Sequence, residues 1–314
     1  MLFRSHQPHP AVTEPQRESG LADAFTVGAY RLGSLAARLM PNVVADAIPL
    51  PIGIGANLAG REKRVMIERH LRRVNPSLGP NSLRVAVQQA FDSYARYYVE
   101  SFRLPTLPAK TVDRAFTRDG FQHIVDALEL GNGVIFALPH LGGWEWAGRW
   151  MTDQGYRLTV VVEALQPPEL FEWFANLRTS LGMTVVPTGP AAGSAVLKAL
   201  RENQVVCLLC DRDLERNGID VEFFGEHTTL PAGPATLALR TGAPILPVGV
   251  YFTDKVNGHH AVVRPPLSLE RRGGLRDDVA RITQNLAHEL EFLIRRAPEQ
   301  WHLFQPNWPS DPGY

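Results

Sequence analysis

From about residue 118 onward, apolar residues arrive in short unbroken runs, each followed by a polar stretch in which apolar side chains return every three or four positions. The runs are Val134–Leu138, Leu158–Val162, Met183–Pro187, Val205–Cys210 and Ile245–Tyr251, and helical spacing fills the segments near 120–130, 144–154, 168–181 and 191–203. Unbroken apolar runs of this length suit strands covered on both faces, so the alternation predicts an α/β fold with a mixed, mainly parallel central sheet flanked by helices. Asn257-Gly258, set between Val250-Tyr-Phe-Thr and Ala261-Val-Val, marks a hairpin that adds an antiparallel edge. Val279, Ile282, Leu286, Leu290, Leu293 and Ile294 give residues 275–296 the period of a closing helix.

The first third has a different rhythm. Phe25, Leu32, Leu35, Ala36, Leu39 and Met40 recur at helical intervals while Arg31 and Arg38 lie seven apart, which describes an amphipathic helix. Ala47 to Gly55 reads as an apolar, helix-breaking loop, rich in proline and glycine. Arg61 to Arg73 follows with six Lys/Arg (61, 63, 64, 69, 72, 73) against two Glu (62, 68). A basic helix beside an apolar one suits the surface of an anionic membrane, although an ordinary solvated helix face has the same pattern. Asp23, Arg31, Arg38 and Asp46 interrupt the apolar stretch, so no uncharged run reaches the length of a membrane span. The expected organisation is a disordered tail over 1–20 and a single domain over 21–314, with a helical, membrane-facing subregion over 21–117.

With 314 residues, 45% of them hydrophobic, the chain can bury a full core. Lys+Arg and Asp+Glu are both 32, which removes the basic excess a nucleic-acid partner requires. The two cysteines, Cys207 and Cys210, are three apart in a strand-like run and would point to opposite faces, as reduced core thiols of a cytoplasmic protein. The first twenty residues are polar and contain proline, unlike a secretory signal, so the protein is not expected to be exported.

Candidate chemistry concentrates where the Val134–Leu138 run ends. Pro139 and His140 fall at the carboxyl end of that strand, where open α/β sheets place their sites. Gly142-Gly143 lets the backbone turn, and Glu145 follows four residues after His140's neighbour Leu141, so a carboxylate is available to orient the imidazole as a general base. No Gly-x-Ser-x-Gly elbow, His-Glu-x-x-His pair or phosphate-binding loop accompanies it, and Gly53-Ile-Gly55 lacks the spacing of a dinucleotide loop. His259-His260 beside the hairpin reads as exposed strand-end histidine and no metal is expected. A base without nucleophile or metal must activate a group brought by the substrate, and a hydroxyl attacking an already activated acyl group meets that need.

These blocks resemble a family. His140-x-x-x-x-Glu145 resembles the His-x4-Asp/Glu motif of membrane-associated lysolipid acyltransferases, and other segments agree in order: Asn176-Leu-Arg178 with Leu181-Gly182, Cys210-Asp211-Arg212-Asp213, Phe223-Phe224-Gly225, Pro231-Ala-Gly-Pro-Ala235 and Thr241-Gly-Ala-Pro-Ile245. Glu145 itself, Val221-Glu222-Phe-Phe-Gly-Glu226 and the tail Glu299 to Trp308 are similar to actinobacterial phosphatidylinositol mannoside acyltransferases, with lipid A acyltransferases as cousins.

The resemblance implies a peripheral enzyme on the cytoplasmic face of the plasma membrane. It would move a long acyl chain from acyl-CoA, a co-substrate and not a bound cofactor, to a mannose hydroxyl of phosphatidylinositol mannoside. His140 would be the base in a direct ternary-complex transfer, with Glu145 the sequence-nearest carboxylate to hold its tautomer. Glu163, Asp211, Asp213, Glu215 or Glu222 could take that job instead. The substrate-binding residues it implies are Arg178, Glu163, Asp211, Asp213, Glu215, Glu222 and Phe224. Arg178 suits a phosphate or a structural salt bridge, while Phe223-Phe224 and Trp144-Glu-Trp146 suit an acyl groove or plain core.

Overall fold

The computed structural model describes residues 18–163 and 167–314, with side chains from Val27 onward. Five helices come first: α1 (Glu18–Leu39), α2 (Asn42–Ala47), α3 (Pro49–Ala59), α4 (Arg61–Val74) and α5 (Pro80–Arg103). Glu18 to Gly20 are helical, and the rest of the expected tail, residues 1–17, lies outside the described residues. After α6 (Ala109–Arg114) the order is β1 (Phe116–Asp119), α7 (Gln122–Glu129), β2 (Val134–Leu138), α8 (Trp144–Asp153), β3 (Leu158–Val162), α9 (Pro168–Ser180), β4 (Thr184–Pro187), α10 (Ala192–Arg201) and β5 (Val205–Leu209). The chain continues through β6 (Ile219–Phe223), β7 (Glu226–Leu230), α11 (Gly233–Thr241), β8 (Ile245–Phe252), β9 (His259–Val263) and α12 (Leu275–Arg295).

Seven strands form one sheet in the order β1-β9-β8-β2-β5-β3-β4. β8, β2, β5, β3 and β4 are parallel, and β9 turns back antiparallel on β8 through the Asn257-Gly258 hairpin. The sheet is mixed and mainly parallel, as the run-and-helix alternation predicts. Strand alternation splits its core in two: Val134, Phe136 and Leu138 of β2 face α8, while Ile135 and Ala137 face α11 and α12. Cys207 and Cys210 fall on opposite sides for the same reason, both unpaired, with Cys210 just past the strand end.

Three features depart from the sequence reading. The segment 47–55 is not a helix-breaking loop, because Pro49 and Pro51 sit in the first turn of α3, where a missing N–H costs little. Gly53 serves packing: a Cβ there would lie 2.0 Å from Asp92 Oδ1 and 2.8 Å from the Asp92 backbone, so only glycine lets α3 close on α5. A small second sheet pairs β6 with β7 around Phe224 and Gly225, both at positive φ. His259, expected at the surface, is buried, stacked on Trp146 and paired with Glu100 at 2.9 Å.

The N-terminal helices present apolar residues outward. Val27, Ser34 and Ala37 are the buried face of α1, whereas Leu32, Leu35 and Leu39 are exposed, joined by Val43 of α2 and by Leu50, Ile52, Ile54 and Leu58 of α3. Leu39 and Leu58 are each 76% exposed, far from the normal state of a leucine. The side chain of Phe25 lies outside the described residues. Asn42–Ala59 is long and apolar enough, by length and composition only, to cross a membrane. Half the basic charge of α4 is engaged internally: Arg69 and Arg73 pair with Asp311, Arg73 also with Glu226, and Arg64 donates to Asn57 O.

Candidate active site

The register between β2 and β5 builds the site. Leu138 is paired with Leu209, so His140 and Asp211, each two residues beyond its strand's last paired position, emerge side by side at the carboxyl edge of the sheet. His140 Nδ1 lies 2.6 Å from Asp211 Oδ1, and the His140 backbone N–H donates to Asp211 Oδ2 at 3.1 Å. Trp301 Nε1 donates to the same Oδ2 at 2.7 Å, and Asn307 Nδ2 donates to the Asp211 carbonyl at 3.1 Å. Asp211 is fully buried. Burial alone would raise its pKa, yet the adjacent imidazole and the Trp301 and His140 hydrogen bonds overcome it and hold the carboxyl down at about 2. An ionised Asp211 keeps the proton on Nδ1, which leaves Nε2 the free nitrogen. It has no protein partner among the described residues, and the His140 side chain is 15% exposed.

Glycines shape the loop that follows. Gly142 has φ +58°, and a Cβ there would sit 2.2 Å from Val250 O; one on Gly143 would meet His259 Nε2 at 2.4 Å. The loop therefore packs flat on β8 and β9 and starts α8 with Trp144, whose ring meets His140 edge-on. His302 lies behind, its backbone N–H donating to His140 O at 2.7 Å. Burial, reinforced by the nearby His140 charge, lowers the pKa of His302 to about 3, so it stays neutral.

Glu145 is not the partner of His140. In the first turn of α8 it points away, into a buried cluster where Arg178 donates to its Oε1 through Nε at 2.9 Å and Nη2 at 2.5 Å, and Tyr97 OH donates at 3.2 Å. The i to i+5 spacing that suggested the pair in sequence spans a turn, and the helix then rotates the carboxylate off the imidazole. Arg178 is accordingly in a buried ion pair, the structural alternative to a phosphate clamp; that pair raises its pKa despite desolvation.

The remaining expected residues are dispersed. Glu163 pairs with Arg212 at 2.8 Å on the same rim. Asp213 accepts from Gly218 N and orders the loop before β6, and Glu215 accepts from Asn217. Glu222 is exposed on β6, its backbone tied to Gln284 of α12. Phe224 is core, packed on Phe223 and Trp301, so it lines no groove.

The apolar cavity lies instead under α8. Its volume is about 80 Å³, and its floor is laid by Val162, Leu209, Leu138, Val250 and Ala261 of five adjacent strands. Trp144 lines it too, as do the Glu145–Arg178 pair and, at the outer edge, Arg118 over the Trp150 ring. Leu138, Leu209 and Trp144 line it within two to four residues of His140 or Asp211 in the chain.

Comparison with known proteins can now be set against this geometry. The family model for bacterial lipid A biosynthesis acyltransferase matches residues 16–310. The chain belongs to that family. Two curated relatives are each called phosphatidylinositol mannoside acyltransferase: one from Mycobacterium tuberculosis, 37% identical over 93% of this chain and 92% of its own, and one from Mycolicibacterium smegmatis, 36% identical over 90% and 91%. In this acyltransferase His140 and Glu145 thus stand in different clusters. Sequence reasoning singled out the tail that holds Trp301 and Asn307 without giving either a role at the site, and had no signal for Tyr97; these residues contact the dyad or Glu145 from segments remote in the chain.

Proposed function

We propose that the acyltransferase transfers a long-chain acyl group from acyl-CoA to a mannose hydroxyl of a phosphatidylinositol mannoside, with His140 as general base. The observation that carries this reading is the His140–Asp211 pair, Nε2 free, close in the chain to Leu138, Trp144 and Leu209 of an apolar cavity. The acyl chain occupies the cavity under α8, which places the thioester carbonyl beside the imidazole. His140 Nε2 takes the hydroxyl proton as the sugar oxygen attacks that carbonyl. The tetrahedral adduct expels the thiolate, which recovers the proton from Nε2, and Asp211 stabilises the imidazolium between the two steps. No cofactor takes part. The mannoside acceptor rests on the names of the relatives.

The enzyme acts peripherally on the cytoplasmic face of the plasma membrane. Exposed leucines and isoleucines of α1 to α3 enter the interface, and Arg61, Lys63 and Arg72 meet anionic lipid. Asn42–Ala59 lies in the interface without crossing it, since Asp46 sits inside the stretch and Gly53 fastens α3 to α5. Incubating the purified protein with a long-chain acyl-CoA and, in parallel, phosphatidylinositol mannoside, a lysophospholipid or a lipid A precursor tests the reading. Product with the mannoside alone, abolished in His140→Ala, is the expected result; preferential acylation of another acceptor refutes the acceptor assignment.

A further inference from the structure

Asp211 owes its burial to a distant part of the chain. The segment from Trp301 to Asp311 crosses the carboxyl edge of the sheet and contributes three bonds to the dyad: Trp301 Nε1 to Asp211 Oδ2, Asn307 Nδ2 to Asp211 O, and His302 N to His140 O. Asp311 secures the far end. Its Oδ2 accepts from the backbone N–H groups of Asn307 and Trp308 at 2.9 and 3.1 Å. Its Oδ1 accepts from Arg69 Nε at 3.0 Å and Arg73 Nη2 at 2.6 Å, both on α4. Arg73 also lies over the Trp308 ring, which stacks on Phe223. The segment is therefore fixed at both ends and delivers a single indole N–H to the carboxylate oxygen that His140's side chain does not use.

The geometry points to a positioning strap: Trp301, held by the Asp311–Arg69–Arg73 clasp, orients the Asp211 carboxylate so that Oδ1 faces His140 Nδ1. This rests on His140 being the base. With the indole N–H absent, Oδ2 keeps only the His140 backbone N–H, and the carboxylate can rotate about its Cβ–Cγ bond and lose its alignment with the imidazole. The titratable groups facing the pair are His302 from the strap and the Cys210 thiol from the end of β5, both neutral.

Trp301→Phe keeps the ring and removes the donor, and Asp311→Asn weakens the clasp at a distance from the chemistry. Both full-length variants are compared with the parent in two readouts. The first is the steady-state constants across pH: kcat falls roughly ten-fold for Trp301→Phe and less for Asp311→Asn, KM for acyl-CoA is retained, and the acid limb moves to lower pH as the imidazolium loses stabilisation. The second needs no turnover: the hydrogen-bonded Nδ1 proton of His140, observed in proton NMR of histidine-labelled protein, shifts upfield or broadens in both variants. An unchanged resonance and acid limb in folded Trp301→Phe overturns the strap. A parent enzyme that shows the resonance but transfers no acyl group refutes the proposed function and leaves the strap standing.

Discussion

Two substitutions separate the role of Glu145 from that of His140. His140→Ala is expected to lower turnover on the order of 10²–10⁴-fold while keeping the fold at reduced stability, because the buried Asp211 carboxylate loses the imidazole but keeps the His140 backbone N–H and the Trp301 indole as donors. Glu145→Ala is expected to act through stability, since it strands Arg178 as a buried, unpaired cation; breaking such a pair costs on the order of 3 kcal/mol. Denaturant titration of both variants checks the contrast. A Glu145→Ala protein with parental stability and the kinetics of His140→Ala would return Glu145 to the dyad. Gly142→Ala belongs with these: its Cβ collides with Val250 O and its φ is left-handed. It is expected to lower both stability and kcat, read by the same two measurements.

At the level of elements, α3 is a test of what glycine does in a helix. Gly53→Leu is expected to pry α3 from α5, exposing residues 42–60 to limited proteolysis while the sheet and its α8 cavity persist, because the contact point is the Asp92 backbone. Proteolytic resistance equal to the parent would mean that the helix pair accommodates the side chain. The same segment marks where sequence legibility ends. β2, β3, β5 and β8 were readable because double-sided burial demands unbroken apolar runs, β4 because it is an apolar run although an exposed edge strand, and the hairpin before β9 because Asn-Gly supplies positive φ. α3 was not, since proline and glycine signal loops until their N-terminal and contact positions are known. β6 alternates polar and apolar residues on a small sheet, and β1 has only four residues, three of them exposed. His140 was legible from its place after a strand, whereas Asp211 as its partner was not. Seventy-one residues separate them, and only the adjacency of β2 and β5 in the sheet brings them together.

For the whole molecule, pH couples to stability through buried histidines. Burial holds His70 at about 4 and His302 at about 3, below the ordinary 6.5. As pH falls beneath 6.5 the unfolded chain therefore binds protons the folded chain refuses, and stability is lost progressively down through both folded values. Asp211 adds a loss lower down, between its ordinary 3.8 and about 2. The urea midpoint is expected to drop between neutral pH and about pH 5, with a shallower slope in His70→Gln. A flat profile would mean that the imidazoles are protonated in the folded state. Membrane affinity is the second global property. Vesicle binding is expected to weaken with salt and with loss of anionic lipid, and Arg61, Lys63 and Arg72 neutralised together should reduce it further while transfer to a water-soluble acceptor persists. Salt-independent sedimentation would contradict the peripheral mode.

The strap gives the molecule an order of assembly in time. Arg69 and Asp311 are separated by 242 residues, so their contact closes a loop that contains the whole seven-stranded sheet. Every strand of that sheet, and both His140 and Asp211, precede Trp301 in the chain. The dyad's framework can therefore be in place before the indole N–H reaches Asp211 Oδ2, and the strap is the part of the site that is added last.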